Sequence, residues 1–256
     1  MDAGAPARHR AAPMPAPTSA KPKPKRRGLA APRRLPSAER DRVETIFRRF
    51  EAHEPAPKPE LEYRDPFTLV VAVALSAQTT DKAVNKATRT LFDEAPTPAA
   101  MLALGVEGLT ERIKSIGLFR SKARNVVELS RRVVENHGGV VPLHREALQA
   151  LPGVGRKTAS VVLNELGIEP AIAVDTHVFR VSHRLKLARG ATPDRVEQEL
   201  TVRAPDWALT RAHHWLILHG RYVCVARRPK CERCLIADLC PSRVLYEGAA
   251  EPARPE

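Results

Sequence analysis

Apolar residues fall at helical intervals along most of this chain. Val43, Ile46, Phe47 and Phe50 stand at i, i+3, i+4 and i+7, the spacing of one buried helix face, and predict a first helix soon after Ser37. Asp65-Pro66, Thr97-Pro98 and Thr192-Pro193 each pair a capping side chain with proline at the first helical position, so each is expected to open a helix. Residues 67–76 are apolar on every side and β-branched enough to pass for a buried strand, but the Asp-Pro cap and helical neighbours favour a buried helix. The same patterning predicts helices near 81–92, 109–116, 121–136, 145–150, 156–166, 176–187 and 207–219. No alternating strand pattern, hairpin signal or internal repeat interrupts them, so the expected fold is all-α.

The two ends read differently. Residues 1–36 are rich in Ala, Pro and Lys/Arg and hold nine bases against one acid, Asp2. With almost no large apolar side chain they cannot offset the entropy of ordering, which predicts a disordered basic arm. Such an arm either raises non-specific affinity for DNA or serves as a solubilising tail. Its prolines argue against the amphipathic helix of an organelle transit peptide. Residues 247–256 form a second loose tail.

Of the net charge of +13, the arm carries +8, leaving the other 220 residues with only +5. Charge alone therefore makes the folded part a mild candidate for nucleic-acid binding. At 256 residues the chain has room for one substantial core or two modest ones. No stretch approaches the roughly 18 apolar residues of a membrane span, and the N-terminus lacks the apolar core of a secretory signal. The expectation is a soluble, intracellular protein with no membrane association.

All four cysteines fall in one loop, Cys224-x6-Cys231-x2-Cys234-x5-Cys240. In a reducing compartment such clustering is better explained by metal than by disulfides, which close such short loops poorly. Zinc usually takes two separated Cys-x-x-Cys knuckles, whereas one continuous loop with a single such pair favours an iron–sulfur cluster; from spacing alone zinc stays open. Arg227, Arg228 and Lys230 lie between the first two cysteines, a basic loop suited to phosphate.

Leu151-Pro152-Gly153-Val154-Gly155-Arg156-Lys157-Thr158-Ala159 follows one short helix and opens another. Two glycines allow a tight turn with outward amides at the positive end of a helix, an anion-binding geometry without the spacing of a Walker loop. A plain helix–helix turn would account for the glycines but not for Lys157 in the first helical turn, where the dipole disfavours a cation. Eighteen residues later the apolar run 171–174 delivers Asp175 to the start of another helix. Alone, Asp175 is an ordinary N-cap and His177 a structural histidine.

Together these segments resemble the helix–hairpin–helix DNA glycosylase superfamily and, within it, the endonuclease III family. The resemblance runs from about Ser37 to Arg243 and is carried by Leu75 to Asp81, Ile116 to Ala123, Leu151 to Ala159, Val174 to His177 and the cysteine loop. It implies a two-lobed all-α fold. One lobe would be a helical bundle over 59–170 ending in the hairpin; the other would join residues 37–58 to 171–246 and hold one 4Fe-4S cluster on Cys224, Cys231, Cys234 and Cys240.

The resemblance also implies an enzyme: a bifunctional DNA glycosylase and abasic-site lyase of base-excision repair, cutting by β-elimination. Its substrate would be double-stranded DNA holding oxidised pyrimidines or abasic sites. Lys157 would be the nucleophile and Asp175 its carboxylate partner. The amides around Gly153 and Gly155 would grip phosphate, Gln78 and Leu118 would fill the gap left by a flipped nucleotide, and segments near Ser76, Thr80 and Asp81 would line the base pocket. Related adenine-specific mismatch glycosylases share the cysteine loop but usually lack the lysine, and 8-oxoguanine glycosylases share lysine and aspartate but lack the loop. The expected protein is a monomer working in the cytoplasm on the nucleoid; the rival is a helix–hairpin–helix module that binds DNA without catalysis.

Overall fold

Helix caps and apolar faces set the architecture in the order the patterning predicts. The computed structural model describes residues 35–246, so all but the last two residues of the expected arm over 1–36, and the tail over 247–256, lie outside the described residues. Helix α1 (Ser37–His53) buries Val43, Ile46, Phe47 and Phe50. Leu35, assigned by composition to the arm, packs against the same core as this helix, because a large apolar side chain beside a buried face gains by covering it.

The ambiguous segment is a helix, α2 (Pro66–Leu75). Its start is fixed reciprocally: Asp65 Oδ1 accepts from the Thr68 amide at 2.8 Å, and Thr68 Oγ1 accepts from the Asp65 amide at 2.9 Å. Helix α3 (Asp81–Glu94) is capped by Thr80. The expected separate helix over 109–116 is instead the second half of α4 (Pro98–Ile113), interrupted at Gly105, whose φ of 69° and ψ of 177° are not helical. Helix α5 (Phe119–His137), α6 (Arg145–Ala150), α7 (Arg156–Glu165), α8 (Thr176–Arg184), α9 (Pro193–Arg203) and α10 (Leu209–Tyr222) complete the helices, and no strand occurs among the described residues.

The buried apolar side chains form two clusters. One draws Leu69, Val70, Leu75, Leu91, Met101, Leu129 and Leu163 from α2 to α7. The other joins Ile46 and Phe47 of α1 to Ile172, Val178, Val196, Leu216 and Ile236 near the far end of the chain. Polar bonds fasten α1 there: Arg42 Nη1 donates to the carbonyls of Leu185 and Leu239 at 3.0 and 3.1 Å, and Trp215 Nε1 donates to that of Glu54 at 2.8 Å.

Helix α7 touches both clusters. Ala159, Val162 and Leu163 belong to the first. Ser160 Oγ meets Glu197 Oε1 of α9 at 2.9 Å, and Asn164 Nδ2 donates to the Thr210 carbonyl of α10 at 2.9 Å while its Oδ1 accepts from the Ala171 amide at 3.1 Å. Arg156 Nε adds an ion pair to Glu197 at 2.6 Å.

The break in α4 makes a prediction whose sign separates two effects. Helix propensity alone would have Gly105→Ala stabilise by about 1 kcal/mol. The backbone at Gly105 lies in a region nearly restricted to glycine, although a Cβ there would meet nothing within 4 Å. Gly105→Ala should therefore destabilise by about 1–3 kcal/mol, read as a lower urea midpoint at unchanged slope.

Candidate active site

The hairpin between α6 and α7 is closed by the Val154 amide, which donates to the Leu151 carbonyl at 3.1 Å. Gly153 takes a φ of 78°, and a Cβ added there would stand 3.1 Å from Asn125 Cβ, so this position suits only glycine. Gly155 occupies the N-cap of α7 and offers no side-chain acceptor. Asp65, Thr80, Thr97, Asp175 and Thr192 cap their own helices with side-chain oxygens. The first-turn amides of α7 thus keep their donors for an outside anion, at the positive end of the helix. Lys157 is exposed in this turn.

Asp175 follows four buried residues, Ala171, Ile172, Ala173 and Val174, and caps α8. One oxygen, Oδ1, accepts from the amides of His177 and Val178, both at 2.8 Å; Oδ2 has no hydrogen-bond partner among the described residues. Capping and a free carboxylate oxygen therefore coexist in one side chain.

Buried His213 of α10 ties the two candidates together. Its Nδ1–H donates to the Ala173 carbonyl at 2.9 Å. Burial holds the ring well below the ordinary histidine range, His214 and Lys157 push it further down, and Asp175 opposes them. Lys157 and Asp175 are thus both within electrostatic reach of one neutral imidazole. Lys157 also lines a cavity of about 70 Å³ with Ser76, Asp81, His213, His214 and Arg221.

One lining residue, His214, belongs to a polar network. His214 Nε2 lies 3.3 Å from Glu165 Oε2, and the Tyr63 hydroxyl donates to Glu165 Oε1 at 2.7 Å. Burial would raise the Glu165 carboxyl, but the bonds from His214 and Tyr63 outweigh it and hold it below its usual range. At the mouth, Arg221 Nη1 contacts Asp81 Oδ2 at 2.5 Å and also pairs with Glu60, which accepts from the Tyr222 hydroxyl. Sequence reading named Ser76 and Asp81 for this region but missed His213, His214, Glu165 and Arg221, whose partners lie far away along the chain.

Gln78 and Leu118 stand apart from the cavity, at exposed turns. Both take left-handed backbone, φ 54° and 58°, uncommon for such residues, and Leu118 is 59% exposed. Gln78 lines an open groove of about 940 Å³ together with His177, Arg221 and Tyr222. Lys82 and Lys86, one turn apart on α3, line it as well; the sequence reading passed over them.

The four cysteines surround a single cavity with Arg184, Leu185 and His219 on its walls. Burial pushes the thiols of Cys231, Cys234 and Cys240 above their usual range, Cys234 to about 11, and neighbouring thiolates add to the rise. Such thiols ionise together only around a cationic centre. Four thiols that share one cavity form a donor set that fits a metal centre held by thiolates. Arg184 Nη1 donates to Cys224 Sγ at 3.3 Å and to the Val225 carbonyl at 2.8 Å. Arg227, Arg228 and Lys230 are exposed on this loop, with no carboxylate partner among the described residues.

Comparison with known proteins agrees with both halves of this arrangement. The pattern of the HhH-GPD superfamily of base excision DNA repair proteins matches residues 71–206, and that of the iron–sulfur binding domain of endonuclease III matches residues 224–240. Endonuclease III of Haemophilus influenzae is 54% identical over 195 residues, 76% of this chain and 92% of that protein. Endonuclease III of Escherichia coli is 53% identical over the same shares. A trapped covalent intermediate of endonuclease III with DNA superposes with a TM-score of 0.76 at 41% identity, covering 80% of this chain and 97% of that one. With its uncapped hairpin helix, its lysine and aspartate about one imidazole and its four-cysteine cavity, this chain belongs to the endonuclease III family of the HhH-GPD superfamily.

Proposed function

We propose that this chain is a bifunctional DNA glycosylase and abasic-site lyase of base-excision repair, removing oxidised pyrimidines from double-stranded DNA and cleaving 3′ to the abasic site by β-elimination. The observation that carries the proposal is Lys157, set in the first turn of an uncapped helix and lining one cavity with buried His213, whose Nδ1 bonds the Ala173 carbonyl two residues before Asp175. The covalent endonuclease III–DNA intermediate supports it from the side of the relatives.

The residues divide the work. Phosphates approach the free amides of Gly153, Gly155 and the first turn of α7 without sequence preference, as a searching enzyme needs. Gln78 and Leu118 enter the duplex from their exposed turns and occupy the space of the flipped nucleotide. The Lys157 amine attacks the sugar C1′, the damaged base departs, and an imine to the deoxyribose forms. The free oxygen of Asp175 faces the positive charge that develops on the sugar and assists proton transfer. Loss of the 2′ proton then expels the 3′ phosphate.

Cys224, Cys231, Cys234 and Cys240 would hold one 4Fe-4S cluster, whose bonds to four thiolates would clip the loop and so hold Arg227, Arg228 and Lys230 for phosphate. The bundle over 59–170 and the composite lobe of 37–58 with 171–246 act as the two sides of the DNA-binding cleft, each supported by one buried cluster. No helix among the described residues is long and apolar enough to cross a membrane. A monomer working on the nucleoid in the cytoplasm fits a cleft made by one chain and thiols that must stay reduced.

Three outcomes follow. Lys157→Ala should abolish single-turnover excision of an oxidised pyrimidine while binding to a duplex with an abasic-site analogue stays near wild type, since the hairpin amides remain. Asp175→Asn keeps the α8 cap and should fold normally, but its excision rate should fall by roughly two to three orders of magnitude, as for lost electrostatic stabilisation of a developing charge. Replacing Arg227, Arg228 and Lys230 with Gln should weaken binding to all duplexes alike, and the slope of log affinity against log salt should flatten by about one unit per lost phosphate contact.

A further inference from the structure

Lys122 lies in the second turn of α5 and is only 7% exposed. Its Nζ donates to Thr79 Oγ1 at 2.7 Å, across 43 residues of sequence. No carboxylate pairs with it among the described residues, and burial pushes its pKa down. A buried ammonium without a counter-ion is costly, and a methionine would fill the same space without that penalty.

What Lys122 joins accounts for that cost. Thr79 follows Gln78 directly, and the Lys122 amide donates to the Leu118 carbonyl at 3.1 Å, as Ser121 Oγ does at 2.9 Å. The two turns abut: a Cβ built on Gly117 would lie 3.8 Å from the Gln78 carbonyl oxygen and 3.9 Å from Thr79 Oγ1. Both tips hold left-handed backbone, which persists only where the surroundings over-determine it. Among the described residues, the side-chain hydrogen bond across this junction is the one from Lys122.

We propose that Lys122 is a positioning residue that locks the Gln78 and Leu118 turns into one rigid wedge for opening duplex DNA. This rests on the reading that Gln78 and Leu118 enter the duplex. The lysine touches neither the sugar nor the base. It supplies a fixed spacing between two tips that come from different parts of the chain, so insertion costs less ordering of the protein.

The test uses full-length, cluster-loaded protein with Lys122→Met, Thr79→Val and the double variant. Two activities are compared: single-turnover excision of an oxidised pyrimidine from a duplex, and strand cleavage at an abasic site in a single-stranded oligonucleotide, where there is nothing to wedge apart. A 2-aminopurine opposite the lesion reports insertion directly. Each single variant should lose roughly tenfold or more in duplex excision, the scale of a lost buried hydrogen bond from a charged donor, and should blunt the fluorescence change. Single-strand cleavage should be unchanged, and the double variant should be no worse than the poorer single one. Equal losses on both substrates, additive losses in the double variant, or wild-type duplex excision by Lys122→Met would overturn the proposal. Gln78→Ala and Leu118→Ala separate the two failures. If they reduce duplex excision and Lys122→Met does not, the tether alone is wrong; if they too leave it intact, the wedge reading fails and the tether with it.

Discussion

Helix α7 is short, with one apolar side in the first core and a polar side bonded to the second. Ala159, Val162 and Leu163 are inaccessible to water, so burial fixes the rotation of the helix against α2. Once that rotation is set, Ser160, Asn164 and Glu165 must face the other core, where Glu197, the Thr210 carbonyl and His214 satisfy them. Leaving any of these groups unpaired at a buried seam would cost about 1–3 kcal/mol, so the seam has little freedom to slide. The position of Lys157 relative to Asp175 is inherited from this fit, since the two residues hang from opposite sides of it.

The same economy of constraint recurs where the site must stay open. A polar side chain at the α7 N-cap would satisfy the first-turn amides, and glycine leaves them free. Asp175 differs in kind, capping α8 through one oxygen and leaving the other without a hydrogen-bond partner among the described residues. At the cysteine loop burial disfavours free thiolates, and a cationic cluster held there would offset that cost and tie metal loading to loop order. Arg184 spans both, bonding a cysteine sulfur and the backbone that leads to Arg227 and Arg228.

Local signals in the sequence carried much of this architecture. The Asp65-Pro66 cap overruled a strand-like composition because its hydrogen bonds lie within four residues. The face of α1, the hairpin glycines and the single cysteine loop were legible for the same reason. Reading failed where the partner is remote or the backbone unusual. Gly105 interrupts one helix where two were expected, and Leu35 joins a core that forms only once the far end of the chain returns to α1. His213, Arg221 and Lys122 look like ordinary helix residues in one dimension; their meaning comes from Ala173, Asp81 and Thr79, brought near by folding. Family resemblance pointed to Gln78 and Leu118, but their strained, exposed backbone is a structural observation.

The central claim is that one side chain, Lys157, becomes covalently joined to the sugar during turnover. Its most direct test is to reduce the wild-type enzyme with borohydride during reaction with a duplex holding an oxidised pyrimidine, digest the adduct, and map the modified peptide by mass spectrometry. A deoxyribose remnant on the Lys157 Nζ alone is the expected result. An adduct on another amine, or full excision with no trapped protein, would contradict it.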